Sequence, residues 1–451
     1  MLLSGWASPL DLLKAEVTAL EYEGVKVPAD LKKQIMLLEP ASIQEESLTE
    51  FRSKLEKLSP APDFPYTQPN ELAEIRSLRP KTPEYALELP SDDKLLDLFH
   101  GAWLGRCAGC ALGKPVEGLS SDFGRKALRN YLELRNDWPL SDYFRGVPAA
   151  DGITLNNPEC WRENITHMIG DDDINYTLVA LTVLEQYGSQ FGWQDVAETW
   201  DNLLPYNLIC TAETQAILNY HTQKQRILWQ QHQPVTAEYT RSTNNPYREW
   251  IGAQIRADFW GWAAAGDPER AAEFAWRDAS WTHTRNGIYG EMFMAALEAA
   301  AFAEHDIHKL IEIALAQIPA SCRLAEEIRL TMQKADELDD FDRFIEWHDE
   351  HFAGMHTVHT VNNASLVVMA LLLGKGDPDR SICLAVAAGL DTDCNGATVG
   401  AIMGILTGAK NFGGVLAPRL NDRLKTGIAG FMDISLTDLA KRTLAVHQKI
   451  R

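Results

Sequence analysis

"GLDTDCNGATVGAIMG", residues 389–404, sets glycine at every fourth position, Gly396, Gly400 and Gly404, behind two aspartates. "GAWLGRCAGCALG", residues 101–113, repeats the pattern with Gly101, Gly105, Gly109 and Gly113. Four-residue spacing lays the glycines along one face of a helix and leaves a stripe of bare backbone. Each interior glycine costs roughly 1 kcal/mol against alanine in an isolated helix, so a stripe persists where another backbone comes very close. Both segments therefore read as central, buried helices. "KPVEG" follows the first and "DTDCN" lies at the head of the second, so chemistry-bearing residues sit at their ends.

A helical period recurs through "DDKLLDLFHGAWLGRCAGCALG", "INYTLVALTVLEQYG", "PERAAEFAWRDASW", "GEMFMAALEAAAFAEH" and "NNASLVVMALLLGKG". Convincing strand alternation is absent, and no fixed-period repeat points to a solenoid. The expected fold class is all-α, with one large compact domain over residues 92–451. Residues 1–91 read as a small helical appendage, as in "DLLKAEVTALEYEG" and "LTEFRSKLEKL", followed by a linker in which "SPAPDFPYTQP" breaks the pattern with four prolines.

The chain has 451 residues, is 45% hydrophobic and carries a formal net charge of -21. That charge repels phosphate backbones and anionic lipid, so nucleic acid and membrane surfaces are not expected partners, whereas cations are. No apolar run reaches the roughly 20 residues that span a bilayer, and "MLLSGWASPLDLLKAEV" has no basic region ahead of a hydrophobic one; a cytoplasmic location is expected. Seven scattered cysteines make no disulfide framework. Cys107 and Cys110 form a C-x-x-C without a second pair and read as small core residues. The sequence does not reveal the oligomeric state.

Asp391 and Asp393 lie two positions apart in apolar surroundings, where an ionised carboxylate needs a positive or donor-rich partner. Asn395 reads as the N-cap of a helix starting at Gly396, and Gly389 as the break after the preceding helix, leaving the aspartates on a short turn. Asp171, Asp172 and Asp173 directly precede another helix. They fit two readings: capping carboxylates at the positive end of the helix, or metal ligands. Oxygen-rich clusters suit Mg2+, Mn2+ or Ca2+, and the lack of His or Cys at ligand spacing argues against zinc. His348 with His351, and His356 with His359, are spaced three apart but lack a matching cluster and read as solvated or hydrogen-bonded histidines.

These segments, in the order "GAWLGRCAGCALGKPVEG", acidic triplet, "NGIYGEMFMAALEAAAF", "AVAAGLDTDCNGATVGAIMG", resemble the ADP-ribosylglycohydrolase family over roughly residues 95–430, with the N-terminal appendage outside the match. The resemblance implies an all-α fold, one or two divalent ions (Mg2+ or Mn2+), and hydrolysis at the anomeric carbon of a ribose in a small ribosyl or ADP-ribosyl substrate. It places metal ligands at Asp171, Asp172, Asp173, Asp391 and Asp393, and catalytic groups at Glu117, Asp172 and Asp393. The chain departs from the family pattern at Asp171 and Cys394, each in place of a threonine, and at Cys110, in place of an aspartate. The family's glycine-rich phosphate loop has its nearest match in "EWIGAQIRAD", with Gly252, Ala253 and Arg256 but Ile251 where a polar residue is expected. Expected substrate-binding residues are Asn207, His283, Asn286, Glu291, His359 and Asn362, with Tyr206, Arg248 and Trp250 as further wall candidates. Three functional readings stay open: an ADP-ribosyl hydrolase, a hydrolase of a free nucleoside or other glycosyl metabolite, and a non-catalytic metal-stabilised binding protein.

Overall fold

Backbone-on-backbone contact sets the centre of the molecule. The computed structural model describes residues 6–39, 45–81, 87–146, 152–228 and 234–451. In it the Asp92–Gly113 and Thr392–Thr407 helices run antiparallel with their glycine stripes face to face. A β-carbon on Gly101 would strike the carbonyl of Gly404, one on Gly105 that of Gly400, and one on Gly109 that of Gly396. Any side chain larger than hydrogen would force these helices apart, which is the physical reason for the four-residue repeat.

Other helices sheathe this pair. Asn286–Ala301 is buried along its whole length and Thr360–Leu373 along nearly all of it, consistent with sequences that are apolar or small on every face. Leu436–Ile450 packs on the first glycine helix, where the Trp103 indole donates to Thr443 Oγ1 at 3.0 Å. Among the described residues, strand structure is confined to a two-residue antiparallel ladder, Arg423–Leu424 against Ile434–Ser435. The fold is all-α, as the periodicity indicated. All seven cysteines are free, and both members of the C-x-x-C are buried core residues. No helix among the described residues is long and apolar enough to cross a membrane.

The Pro9–Tyr22, Ala29–Met36 and Glu45–Leu55 helices share a separate apolar cluster that includes Leu13, Val17, Ile35 and Leu55. The short Leu72–Ser77 helix instead buries Ile75 in the main core. Arg248 fastens the first helix to the body: its buried guanidinium reaches Glu16 at 2.9 Å and Glu23 at 2.6 Å. Part of the linker lies along the same surface, where Asn70 O accepts from the Trp276 indole at 2.8 Å.

Candidate metal centre

The glycine contact delivers the two chemistry-bearing ends to one place. Thr392 Oγ1 donates to the Gly113 carbonyl at 2.9 Å, so the turn containing Lys114 and Glu117 sits beside Asp391 and Asp393. The third contributor is the Asp172–Tyr187 helix. Fully buried Arg106 anchors its start: Nε donates to the Asp173 carbonyl at 3.0 Å while the guanidinium meets Asp258 at 2.6 Å. Arg106, Cys110 and Lys114 recur every four residues, on one helix face that adjoins the glycine stripe.

The local start of the second glycine helix differs from the sequence expectation. It begins at Thr392, with Asp391 in the N-cap position, and Asn395 lies inside it. Asn395 is drawn away from capping because its amide donates to Asn363 Oδ1 at 2.8 Å, while packing of Thr392 on Gly113 starts the helix four residues earlier than a cap at Asn395 would. Asn363, which sequence reasoning passed over as a site residue, also accepts from the Asp391 N–H at 3.3 Å and so holds the aspartate turn to the Thr360–Leu373 helix. Its only sequence signal was the polar "HTVNN" ahead of an apolar helix.

Three groups of ligand-capable side chains have donor atoms within 4.8 Å of one another: Cys110, Asp171 and Asp173; Asp173, Asp393 and Cys394; Glu117, Asp391 and Asp393. One oxygen each of Asp173, Asp391 and Asp393 is buried without a hydrogen-bond partner. Burial, joined by neighbouring carboxylates, pushes Asp173 and Asp393 well above the usual range, and burial likewise raises Asp391. Asp171 behaves oppositely. Burial opposes its ionisation, but the Lys114 ammonium paired to it wins and holds it below the usual range. Its other oxygen caps the helix by accepting from Asp173 N–H at 3.1 Å, so the capping reading and the ion-pair partner coexist at this residue. Glu117 stands at the rim with much of the residue exposed, yet its carboxyl is enclosed enough that burial, then Asp391 and Asp171, push it up to about 7. Converging carboxylates with unpartnered oxygens are unfavourable without a positive charge among them, and an oxygen donor set of this kind fits a hard divalent cation.

Asp172 belongs to none of these groups; its carboxyl bonds to the Cys210 thiol, and burial raises it well above the usual range. The buried Cys110 thiol leans on Asp173 Oδ2 at 3.9 Å, and burial pushes both the Cys110 and Cys394 thiols up, so each stays protonated in this arrangement.

The expected substrate residues scatter more widely. Asn207 and Tyr206 are exposed on the short Tyr206–Leu208 turn. Asn286 is buried with its amide fully engaged: Nδ2 donates to Gln68 Oε1 at 2.9 Å and Oδ1 accepts from Leu324 N–H at 3.1 Å. Asn362 is buried and donates to the His356 carbonyl at 2.9 Å. His359 caps the Thr360–Leu373 helix and turns Nε2 toward Glu249 at 3.6 Å. It shares with His356, Tyr22 and Trp250 the wall of a cavity of about 230 Å³ beneath the first helix, where Trp250 stacks on His356 at 4.2 Å. His348 is engaged with the Asn362 carbonyl at 3.0 Å and His351 with Glu327 at 2.6 Å, so the histidine pairs assemble no metal site among the described residues.

Glu291 and His283 lie in a second buried polar cluster around Arg256. There Arg256 binds Asp278 at 2.7 Å, Thr282 at 3.0 Å and Glu213, and a β-carbon on Gly252 would strike the Glu213 carboxylate. The Ile251 N–H donates to the Val358 carbonyl at 2.9 Å. The nearest match to a phosphate loop is thus packed into the core, with its arginine committed to internal carboxylates.

The family model described as ADP-ribosylglycohydrolase matches residues 91–449, and the chain belongs to that family. This is a family of metal-dependent hydrolases, and the buried carboxylate cluster is suited to bind such an ion. A solved structure described as an "ADP-ribosylglycohydrolase-related protein complex" is 17% identical, covering 80% of this chain and 100% of its own, with a TM-score of 0.48. Comparison with curated proteins gives no match.

Proposed function

We propose that this protein is a glycohydrolase that cleaves a ribosyl glycosidic bond with the help of Mg2+ or Mn2+. The observation that carries the reading is the meeting of two groups of ligand-capable side chains on buried Asp393, with Asp173 and Cys394 on one side and Asp391 and the rim glutamate, Glu117, on the other. Ribosyl cleavage passes through a transition state like an oxocarbenium ion and needs a held sugar, an activated water and a departing group. A bound divalent ion supplies a template for vicinal ribose hydroxyls and acidifies a water. Asp393 would hold that ion together with Asp173 or with Asp391, and Asp172, turned to Cys210, is left out of the ligand set. Glu117 would take a proton from the attacking water or face the developing positive charge on the sugar. Glu117→Gln is expected to lower turnover at least about a hundredfold with metal affinity intact; a fully active variant removes Glu117 from the mechanism.

A second reading concerns the substrate. Arg256 is spoken for by Glu213, Asp278 and Glu291, which favours a free nucleoside or other small glycoside over a pyrophosphate-bearing ADP-ribosyl group. Product analysis on ADP-ribosyl-arginine, O-acetyl-ADP-ribose and a nucleoside panel, each with Mg2+ or Mn2+, separates the two. Absence of turnover on every glycoside with metal still bound supports a binding protein instead.

A further inference from the structure

The cavity of about 230 Å³ beneath the first helix stands apart from the carboxylate centre: none of the side chains grouped there lines it. One side of it is the Pro9–Tyr22 helix, with Ala15 and Tyr22, and the other holds Tyr247, Glu249, Trp250 and His359. That helix lies outside the residues the family model matches, so the family's domain alone does not complete this cavity. Tyr22 ties the two sides together. Its hydroxyl donates to the Gly354 carbonyl at 3.1 Å and accepts from the His356 N–H at 3.0 Å, and its ring stands edge-on to His359 at 4.9 Å.

Glu249 and His359 each keep one buried polar atom without a hydrogen-bond partner, Glu249 Oε2 and His359 Nε2, which lie 3.6 Å apart, beyond hydrogen-bond length. The other atom of each is fixed: Glu249 Oε1 accepts from Asn286 N–H and Nδ2, both at 3.3 Å, and His359 Nδ1 accepts from the Val361 N–H at 3.2 Å. A ring nitrogen that accepts carries no proton, so Nε2 is the protonated one. The pair therefore offers an acceptor and a donor side by side. Arg248, the one arginine lining the cavity, is committed to Glu16, Glu23 and the Asn245 carbonyl, which leaves it no free donor for an anion.

We propose that this cavity is a second ligand site, which takes an uncharged, amino-substituted nitrogen heterocycle about the size of a purine. The exocyclic N–H of such a ring donates to Glu249 Oε2 while the adjacent ring nitrogen accepts from His359 Nε2–H, a pairing that a hydrocarbon ring cannot make. Aromatic faces supply the remaining contact: Trp250 is stacked on His356 at 4.2 Å and tilted against Tyr247 at 4.6 Å, a stiff wall for a flat molecule. The volume falls below the roughly 300–1,000 Å³ of pockets for drug-sized molecules and suits one ring system rather than a nucleotide. The site is independent of the metal-centre reading.

The probe is 2-aminopurine, whose fluorescence is quenched when it stacks on aromatic rings, titrated against the full chain in chelator. Saturable quenching at one site per chain is expected, with purine, which lacks the amino donor, competing at least about tenfold more weakly. Ala15→Phe fills the cavity from the side of the first helix and is expected to abolish quenching with the melting temperature unchanged. Glu249→Gln keeps the oxygen that Asn286 holds and replaces the free acceptor with a donor, so it should weaken binding at least about tenfold. Absence of quenching in the unaltered chain, or binding that survives Ala15→Phe, overturns the site. Purine competing as well as 2-aminopurine overturns the pairing with Glu249 and His359. Where Ala15→Phe fails to fold, Glu249→Gln and purine competition on the unaltered chain decide the matter.

Discussion

Two of the buried acidic clusters in this protein handle charge in different ways. Around Arg256, the guanidinium sits among Glu213, Asp278 and Glu291, and lies 5.2 Å from the Trp200 ring and 5.6 Å from that of Tyr176. Burial pushes Glu291 well above the usual range and, against the attraction of Arg256, raises Glu213 to about 7, so proton uptake completes the neutralisation. Around Asp393 the interior supplies no comparable cation. Lys114 answers for Asp171 and Arg106 reaches Asp173 Oδ1 at 3.7 Å, while Asp391 and Asp393 each keep an unpartnered oxygen. Unpartnered oxygens occur in both clusters, Asp278 Oδ1 and Glu291 Oε1 among them; the difference is the central arginine, and carboxylates that meet with no cation between them, as Asp391 and Asp393 do, are arranged for an external ion.

Substitutions that cross the two clusters break or sharpen this contrast. Arg256→Met strands buried carboxylates around a neutral side chain, so unfolding by urea is expected to show a loss of about 3–5 kcal/mol, with no rescue by added Mn2+. Rescue by Mn2+ would make the Arg256 cluster a second cation site and end the distinction. Asp393→Asn acts on the other side. Titration calorimetry should record at least about a hundredfold weaker Mn2+ binding, more than an outer-layer group costs. The same variant, free of metal, should melt higher than the parent because the remaining aspartates repel one another less.

The smallest expected effect is a pH slope. Glu213 has a folded-state value of about 7 against 4.5 for the ordinary side chain, so the folded state holds a proton that the unfolded chain releases in between. Its contribution is fully present below pH 4.5 and is lost as pH rises through 7, amounting to about 2 kcal/mol between pH 5 and 7. Glu213→Gln should flatten the urea midpoint across that interval relative to the parent. An unchanged slope would mean that Arg256 holds Glu213 ionised throughout.

Much of the centre was legible in the residues themselves. The glycine repeats announced two helices in backbone contact, and "DDD" and "DTD" announced carboxylates exceeding what capping needs. Less legible were residues whose role comes from a neighbour distant in the chain. Lys114 reads as a helix-end lysine until Asp171 is seen beside it, and Arg106 reads as an interruption of an apolar helix until Asp258 and the Asp173 carbonyl are placed. Asn286 illustrates the reverse: a polar residue beside an apolar helix that suggested a ligand contact, but whose amide is used up by Gln68 and Leu324.

What the sequence determined alone follows from short-range rules. Four-residue periodicity, capping chemistry and the density of carboxylates depend on the i to i+4 geometry of a helix, and they fixed the all-α class, the two glycine helices and the acidic turns. Tertiary structure decided which charges meet. Whether a buried carboxylate faces an arginine, a lysine or another carboxylate depends on chain segments hundreds of residues apart, and in a low-dielectric interior that choice sets its protonation and its need for a metal. Asp171 and Asp393 are the same side chain in similar helix starts; only the folded chain gives one an ammonium and leaves the other with an unpartnered oxygen.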